Sequence, residues 1–369
     1  MIHVGVKPLR AAMKALAGVV EARNTIPILD DVMIQSTPGS MVMTVTDLDM
    51  MAQLHLDLAE PGKNKAMAFC VAADVLEKIA AKLPADGVAT IAADGNMGIT
   101  VSCGRSRFKL PTLPIDDFPI MPFDDDAVHF EMPGGGFQAL IDSVRFAIST
   151  EETRYYLNGI FLHAVDGHLR GAATDGSRLA RYITDLPEGG EGMADSIVGR
   201  KCIGVLDKLL DKHEAPIAVS LSGKKIRVEI GTVTVTAKLV DGTFPDYTRV
   251  IPAANDKAIW FDPKAMVEAV DRVAVISSEK TRLIRMDVGR DVVTLTVASP
   301  ENGQAIEEVP VDYQGEPITM GFNGSYLLDV LRHLTSDTAQ VLLADPSAPS
   351  LWRDSEAAAR LYVLMPMRV

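Results

Sequence analysis

The chain repeats itself at an offset of about one third of its 369 residues. Thr46-Asp47 recurs as Thr174-Asp175, and Leu113-Pro-Ile-Asp-Asp-Phe118-Pro119 recurs as Leu239-Val-Asp-Gly-Thr-Phe244-Pro245. A helical stretch beginning at Pro8 has counterparts beginning near Gly135 and Pro263. A period this long marks whole domains, not solenoid repeats of about 20–50 residues. Each third is long enough to bury its own core, so three similar domains are expected over 1–125, 126–253 and 254–369.

Each third carries two helical patterns among strand patterns. The first helices are expected at 7–20, 135–149 and 262–277, the second at 72–83, 199–212 and 323–334. Between them run alternating or apolar segments of strand length such as MVMTVTD, GIFLHAV and VVTLTVA, separated by Gly, Pro, Asp and Asn. Most connections have hairpin length, so the expected class is α+β, with two helices per domain on antiparallel sheets. Two stretches rich in Pro with Asp or Asn, 118–134 and 244–263, are expected to be linkers, and 186–196 a loop.

Hydrophobic residues make up 47% of the chain and aromatics only 5%, so the cores must rest on aliphatic side chains. No apolar run reaches the length of a membrane span, and the segment MIHVGVKPLR has no apolar signal region. Cys70, Cys103 and Cys202 form no close pair, which argues for free thiols in a reducing compartment.

The net charge of −13 alone argues against nucleic acid as a partner. Its distribution qualifies that. On a helix, residues at i, i+3, i+4 and i+7 share a face. Lys7, Arg10 and Lys14 line one face of the first helix, opposite Leu9, Met13 and Leu16. Lys78 and Lys82 do the same at 72–83, and Lys201, Lys208 and Lys212 at 199–212. Basic faces on helices at matching repeat positions, inside an acidic chain, imply charge segregated to one surface; solvated helix faces are the plainer alternative.

Catalytic patterns are absent. Asp47-x-Asp49 and Asp124-Asp125-Asp126 offer carboxylates for a hard cation, but the repeat partner of the first, Thr174-Asp175-Gly176, lacks the second carboxylate, and the run lies in a linker. His163 and His168 flank a turn at Asp166-Gly167 and form no metal-ligand spacing. No GxSxG, Walker or GxGxxG pattern occurs, and Gly134-Gly-Gly136 is expected to be a helix-entry loop. No metal or cofactor is expected.

The motifs RNTIPILDDVMI (23–34), TDLDM (46–50), SRFKLPTLPIDDFP (106–119), FAISTEETRYYLNGI (146–160), ATDGSRLA (173–180), VDGTFPDYTRVIP (240–252), ISSEKTRLIRM (276–286) and YVLMPMRV (362–369) span the chain. Together they resemble the bacterial DNA polymerase III beta subunit family of sliding clamps. The resemblance implies a head-to-tail homodimer whose six domains close a ring around duplex DNA, with helices lining the hole. Twelve helices at ~10 Å spacing leave a hole of roughly 28 Å once a helix diameter of about 10 Å is subtracted. That is loose enough for sliding on phosphate attraction without base readout.

The resemblance also implies a hydrophobic pocket for partner peptides between the second and third domains. Its positions here are Leu157, Thr174, Gly176, Ser177, Arg178, Leu179, Pro245, Arg249, Val250, Asn323, Tyr326, Val363, Met365, Pro366, Met367 and Arg368. Ser177 departs from a histidine common in the motif, and Thr281 from an aromatic. For DNA it implies Arg23, Arg154, Tyr155 and Tyr156, beside the helix cations Arg10, Lys14, Lys78, Lys82, Lys201 and Lys208. Glu151 and Glu152 reduce the attraction of the 154–156 loop. Implied partners are duplex DNA, a second copy of the chain, the polymerase III catalytic subunit, the clamp loader, repair polymerases and mismatch-repair factors, all in the cytoplasm at replication forks. The competing readings are an enzyme built on repeated domains and a scaffold that binds only proteins.

Overall fold

The computed structural model describes residues 1–21, 24–95, 98–124, 126–277 and 282–369. The three repeats share one order of elements. The first contains β1 (Ile2–Gly5), α1 (Val6–Leu16), β2 (Asp31–Ser36), β3 (Ser40–Thr46), β4 (Met50–Asp57), β5 (Met67–Ala72), α2 (Ala73–Lys82), β6 (Val88–Asp94), β7 (Gly98–Cys103) and β8 (Ser106–Pro111). The second contains β9 (Val128–Pro133), α3 (Gly134–Val144), β10 (Gly159–Val165), β11 (His168–Thr174), β12 (Arg178–Asp185), β13 (Ser196–Gly199), α4 (Arg200–Leu210), β14 (Pro216–Leu221), β15 (Lys225–Ile230) and β16 (Val233–Lys238). The third contains β17 (Lys257–Phe261), α5 (Pro263–Ala274), β18 (Leu283–Gly289), β19 (Val292–Ser299), β20 (Gly303–Pro310), β21 (Ile318–Asn323), α6 (Gly324–Arg332), β22 (Ala339–Leu343), β23 (Ser350–Arg353) and β24 (Arg360–Leu364).

Each repeat thus builds two four-stranded half-sheets, and every strand pairing is antiparallel. The half-sheets join across repeats. β4 of the first pairs with β16 of the second, Met50 opposite Ala237 and Leu54 opposite Val233. β12 of the second pairs with β24 of the third, Arg178 opposite Leu364 and Tyr182 opposite Arg360. The results are two eight-stranded sheets, β5-β2-β3-β4-β16-β15-β14-β9 and β13-β10-β11-β12-β24-β23-β22-β17, and two four-stranded ones, β1-β6-β7-β8 and β20-β19-β18-β21. In these last two, β8 and β20 occupy the positions that are paired elsewhere, and each ends its sheet.

Contacts gather into two compact units. One comprises Met1–Gln138, Pro187–Ala194 and Lys201–Leu239; the other comprises Ala139–Leu186, Asp195–Arg200 and Val240–Val369. The middle repeat contributes a half-sheet to each. In the first unit α1 buries Val6, Leu9, Met13 and Leu16, and α2 buries Leu76, Ile79 and Ala80. In the second, α5 buries Met266, Val270 and Val273, and α6 buries Leu327, Leu328 and Leu331. Each fully buried aliphatic side chain contributes about 1.5–3 kcal/mol, so these apolar stripes hold the helices to their sheets.

Several expectations are corrected. The stretches read as linkers contain strands, β9 inside 118–134 and β17 inside 244–263, and their phenylalanines Phe118 and Phe244 are buried. Gly134, Gly135 and Gly136 form the first turn of α3, not a loop before it. Glycine is required at 134 by close approach to backbone: a Cβ there would lie 2.3 Å from the His213 carbonyl oxygen and 2.9 Å from that of Ala215. The helices end earlier than expected, α1 at Leu16 and α5 at Ala274. The turn between His163 and His168 is as expected, with positive φ at both Asp166 and Gly167. The three cysteines are free and buried, and burial pushes the thiols of Cys70 and Cys202 up to about 12.

Candidate functional site

The positions implied for a partner pocket all fall in the second unit. Its apolar floor is one buried cluster, in which Leu157, Leu179 and Val363 pack with Ala172, Ile197, Phe244, Tyr247, Leu351 and Leu361. They meet because β12 pairs with β24, bringing Leu179 opposite Val363.

The tight turn before β12 forms one wall. Thr174 Oγ1 donates to the Arg178 carbonyl at 2.6 Å and accepts from Gly176 N at 3.1 Å. Asp175 Oδ1 accepts from Ser177 N at 2.9 Å and Arg178 N at 3.1 Å. Gly176 has φ +91°, and a Cβ there would meet Arg154 Nη1 at 2.7 Å, so no other residue fits without strain. Arg178 is not a free cation. Its guanidinium pairs with Asp175 and Asp329 and lies 4.3 Å from the Tyr326 ring centroid and 5.3 Å from that of Phe146. It is a flat spacer that fixes Tyr326. Asn323 caps α6 by accepting from Ser325 N and Tyr326 N, which sets the start of the helix that carries Tyr326.

The rim is exposed. A 3₁₀ turn at Tyr247–Val250 is capped by Asp246, which accepts from Thr248 N at 3.2 Å and from Arg249 Nε at 2.9 Å. The Thr248 hydroxyl, which donates to the same carboxylate at 2.5 Å, and then these bonds hold the Asp246 carboxyl below the usual carboxylate range. Pro245, Arg249 and Val250 face solvent there. Met365 N donates to the Ser177 carbonyl at 2.9 Å and Met367 N to the Gly321 carbonyl at 2.7 Å. Met365 and Met367 remain 41% and 39% exposed although both are large and apolar. Pro366 is half-buried and Arg368 exposed. Exposed apolar side chains over an apolar floor suit an extended peptide. Adaptable methionines suit more than one.

The helix cations divide into two groups. Lys14, Lys82 and Lys208 are exposed. Lys78 is exposed but bound to Asp74 at 2.8 Å. Arg10 and Lys201 are not the solvated cations expected. Arg10 donates to the Ala80 and Leu83 carbonyls at 3.1 and 2.7 Å, closing the end of α2. Lys201 Nζ donates to the Val19 carbonyl at 2.9 Å and pairs with Asp47 and Glu21. The Asp47 side chain is only 8% exposed, so it needs that cation. Arg154 is held bidentately by Glu151, at 2.8 and 2.6 Å, while Tyr155 is exposed and Tyr156 half-buried. Arg23 and Thr281 lie outside the described residues. Lys201→Met strands a buried carboxylate and is expected to cost about 1–2 kcal/mol, given partial solvent access. A fall of a few degrees in Tm checks this; an unchanged Tm would return Lys201 to the solvated face.

No metal site forms among the described residues. Asp47 is held as above, Asp49 meets Lys238 at 2.9 Å, and Asp124 accepts from Ser222 and Lys225. Missed from sequence was the group of buried Tyr247 with half-buried Phe161 and His163; the alternation of β10 places Phe161 and His163 on one face, but nothing in the sequence points to Tyr247.

Comparison with known proteins supplies the remaining context. Residues 3–122, 131–246 and 248–368 match the N-terminal, central and C-terminal domain families of the DNA polymerase III beta subunit. A "Beta sliding clamp" of Caulobacter vibrioides is 42% identical over 97% of this chain and 98% of its own length, and one of Pseudomonas aeruginosa is 37% identical over 97% and 96%. The crystal structure of a DNA polymerase III subunit beta sliding clamp from Bartonella birtlesii bound to griselimycin superposes with a TM-score of 0.95, at 39% identity, covering 100% of this chain and 99% of that one. A C. crescentus beta sliding clamp, with polyethylene glycol bound to its putative beta-motif tethering region, has the same TM-score and identity over 100% and 98%.

Proposed function

Because the chain belongs to the DNA polymerase III beta subunit family, the beta sliding clamps, we propose that two copies join head to tail around duplex DNA through the open edges of β8 and β20. The protein is a non-catalytic sliding clamp of DNA replication; it holds the polymerase on DNA and performs no chemistry.

The single observation that supports the closure is the unmatched pair of edges. Within the chain, the fourth strand of one half-sheet type (β4, β12) always meets the fourth strand of the other type (β16, β24). Only β20 and β8 are left. Exposed edges are sites of strand addition, and one edge of each kind calls for a heterologous contact that closes on itself. Their chemistry is complementary: β8 carries Arg107 and Lys109, β20 carries Glu307 and Glu308. Light scattering should give about twice the 39.7 kDa chain mass. The protein should stay on nicked circular plasmid and leave when the plasmid is linearised; retention on linear DNA, or none on circles, overturns the reading.

In this reading Lys14, Lys82 and Lys208 face phosphates, joined by Lys78 and the 3₁₀ segment that carries Arg154–Tyr156, while Arg10 and Lys201 support the helices that carry them. Changing Lys14, Lys82 and Lys208 to Glu is expected to weaken retention on any sequence. The salt-dependence slope should fall by about 0.9 for each lost phosphate contact, measured by retention on circles across a salt series. Unchanged retention would remove these lysines from the DNA surface. The pocket of the second unit receives short segments of the polymerase catalytic subunit, the clamp loader, repair polymerases and mismatch-repair factors in turn. The three repeats act as domains over 1–125, 126–253 and 254–369, and the protein works in the cytoplasm at replication forks.

A further inference from the structure

Around buried Tyr247 lies a partly buried polar network. Phe161 and Phe244 stack 4.8 Å apart and 3° from parallel, and His163 stacks on the other side of Phe161 at 4.7 Å. Tyr247 stands edge-on to all three, 5.7 Å from the His163 ring. Its hydroxyl is 2.9 Å from His163 Nε2, and His163 lies directly across from Arg170 in the β10–β11 pairing. The phenol can donate its proton to Nε2 only when that nitrogen is unprotonated, an arrangement that requires a neutral ring.

The surrounding charges favour that state. Arg170 on β11 and Arg181 on β12 face the network, each with a buried Nε lacking a hydrogen-bond partner. Asp195, ahead of β13, acts on His163 in the opposite sense, and Asp166 in the β10–β11 turn pairs with Arg170 at 3.5 Å. Burial first, then Arg170, lowers the pKa of His163. A third cation beside two partly buried guanidiniums would be repelled and would leave the Tyr247 proton without its acceptor. Tyr247 is itself the buried post of the 3₁₀ turn that presents Pro245, Arg249 and Val250.

We propose that His163 is a positioning residue for partner binding: its neutral ring anchors Tyr247 and thereby fixes the Pro245–Val250 rim, and protonation releases the rim so that the pocket weakens in acid. The proposal rests on the pocket assigned above. Its sign follows from the lowered pKa: the anchored state is complete above the ordinary histidine value of about 6.5 and is lost as pH falls through the lower folded value.

The test follows two readouts from pH 7.5 to 5.0, in the full-length protein and in His163→Gln, which can accept the Tyr247 proton but does not titrate. The first is affinity for a fluorescent peptide from the polymerase tail; the second is amide exchange of Tyr247–Val250 in the free protein, corrected for the intrinsic pH dependence. Wild type should weaken by up to about tenfold for each pH unit below the His163 pKa and lose rim protection, while His163→Gln should match wild type at pH 7.5 and stay flat in both. Tyr247→Phe should bind weakly throughout with little pH dependence. The same acid profile in wild type and His163→Gln, or unchanged rim protection in wild type, overturns the role of His163. Loss of rim protection with constant affinity overturns the pocket assignment, and the proposal with it.

Discussion

Ile306→Asp is expected to turn the dimer into a monomer of 39.7 kDa that no longer stays on circular DNA. Ile306 lies on β20 and is 61% exposed, an unusual position for a large aliphatic side chain on an open edge. At the internal seams, the first residue of β4 or β12 faces the last or next-to-last residue of β16 or β24. Carried over to β20 and β8, that register sets Ile306 opposite Phe108 or Arg107, and Glu307 one place on. Glu307 is already bound to Arg272 of α5 at 2.6 Å, so it presents an ordered, partly neutralised surface. An aspartate at 306 desolvates a charge at the centre of the seam, costing several kcal/mol. The folded chain should be untouched, because Ile306 leaves little water on folding. Sedimentation or light scattering at micromolar concentration decides the matter, with thermal melting as the control. A variant that remained dimeric would move the interface off this edge.

Deleting residues 365–369 is expected to abolish peptide binding while the dimer persists. Met365 and Met367 are held by main-chain bonds to Ser177 and Gly321, so their exposed side chains are in place before any partner arrives. Losing their contact with two apolar side chains of a bound peptide should cost about 1.5–3 kcal/mol for each fully buried group. Even half of that sum is more than a tenfold loss of affinity. Neither residue lies on β8 or β20, so the assembly should keep its mass. Titration of a fluorescent polymerase-tail peptide reads the first effect and light scattering the second. Equal affinity would place the site elsewhere; a monomer would show that these residues serve assembly.

Much of the fold was legible because helix and strand periodicities are local and occur in triplicate. The six α-helices among the described residues and the hairpin character of the sheets follow from apolar spacing. The cross-repeat pairings of β4 with β16 and β12 with β24 were not legible, since strands distant in sequence carry no local sign of each other. For the same reason Arg10 and Lys201 were misread: helical spacing places a cation on a face but does not show whether a carbonyl or carboxylate from another element meets it. Asp47 could have warned of this, as an acidic residue ending an apolar strand must find a partner if it is buried. In the pocket, Thr174–Leu179 and the methionines were found only through the resemblance to a family. Spacing alone gave ordinary core residues there, and Leu157, Leu179 and Val363 are indeed core as well as floor.

The seams also bear on how such a chain could arise by duplication. Every repeat owns one edge of each kind, and each covers the other only when they belong to successive copies. A gene encoding a single repeat would therefore have made a protein with a donor edge and an acceptor edge both open, obliged to add copies until the last met the first. Fusing three copies into one chain made two of those meetings intramolecular and independent of concentration. The third still depends on protein concentration. A sliding clamp must part somewhere to admit its DNA, and the meeting left between chains is the one that no stretch of the chain bridges.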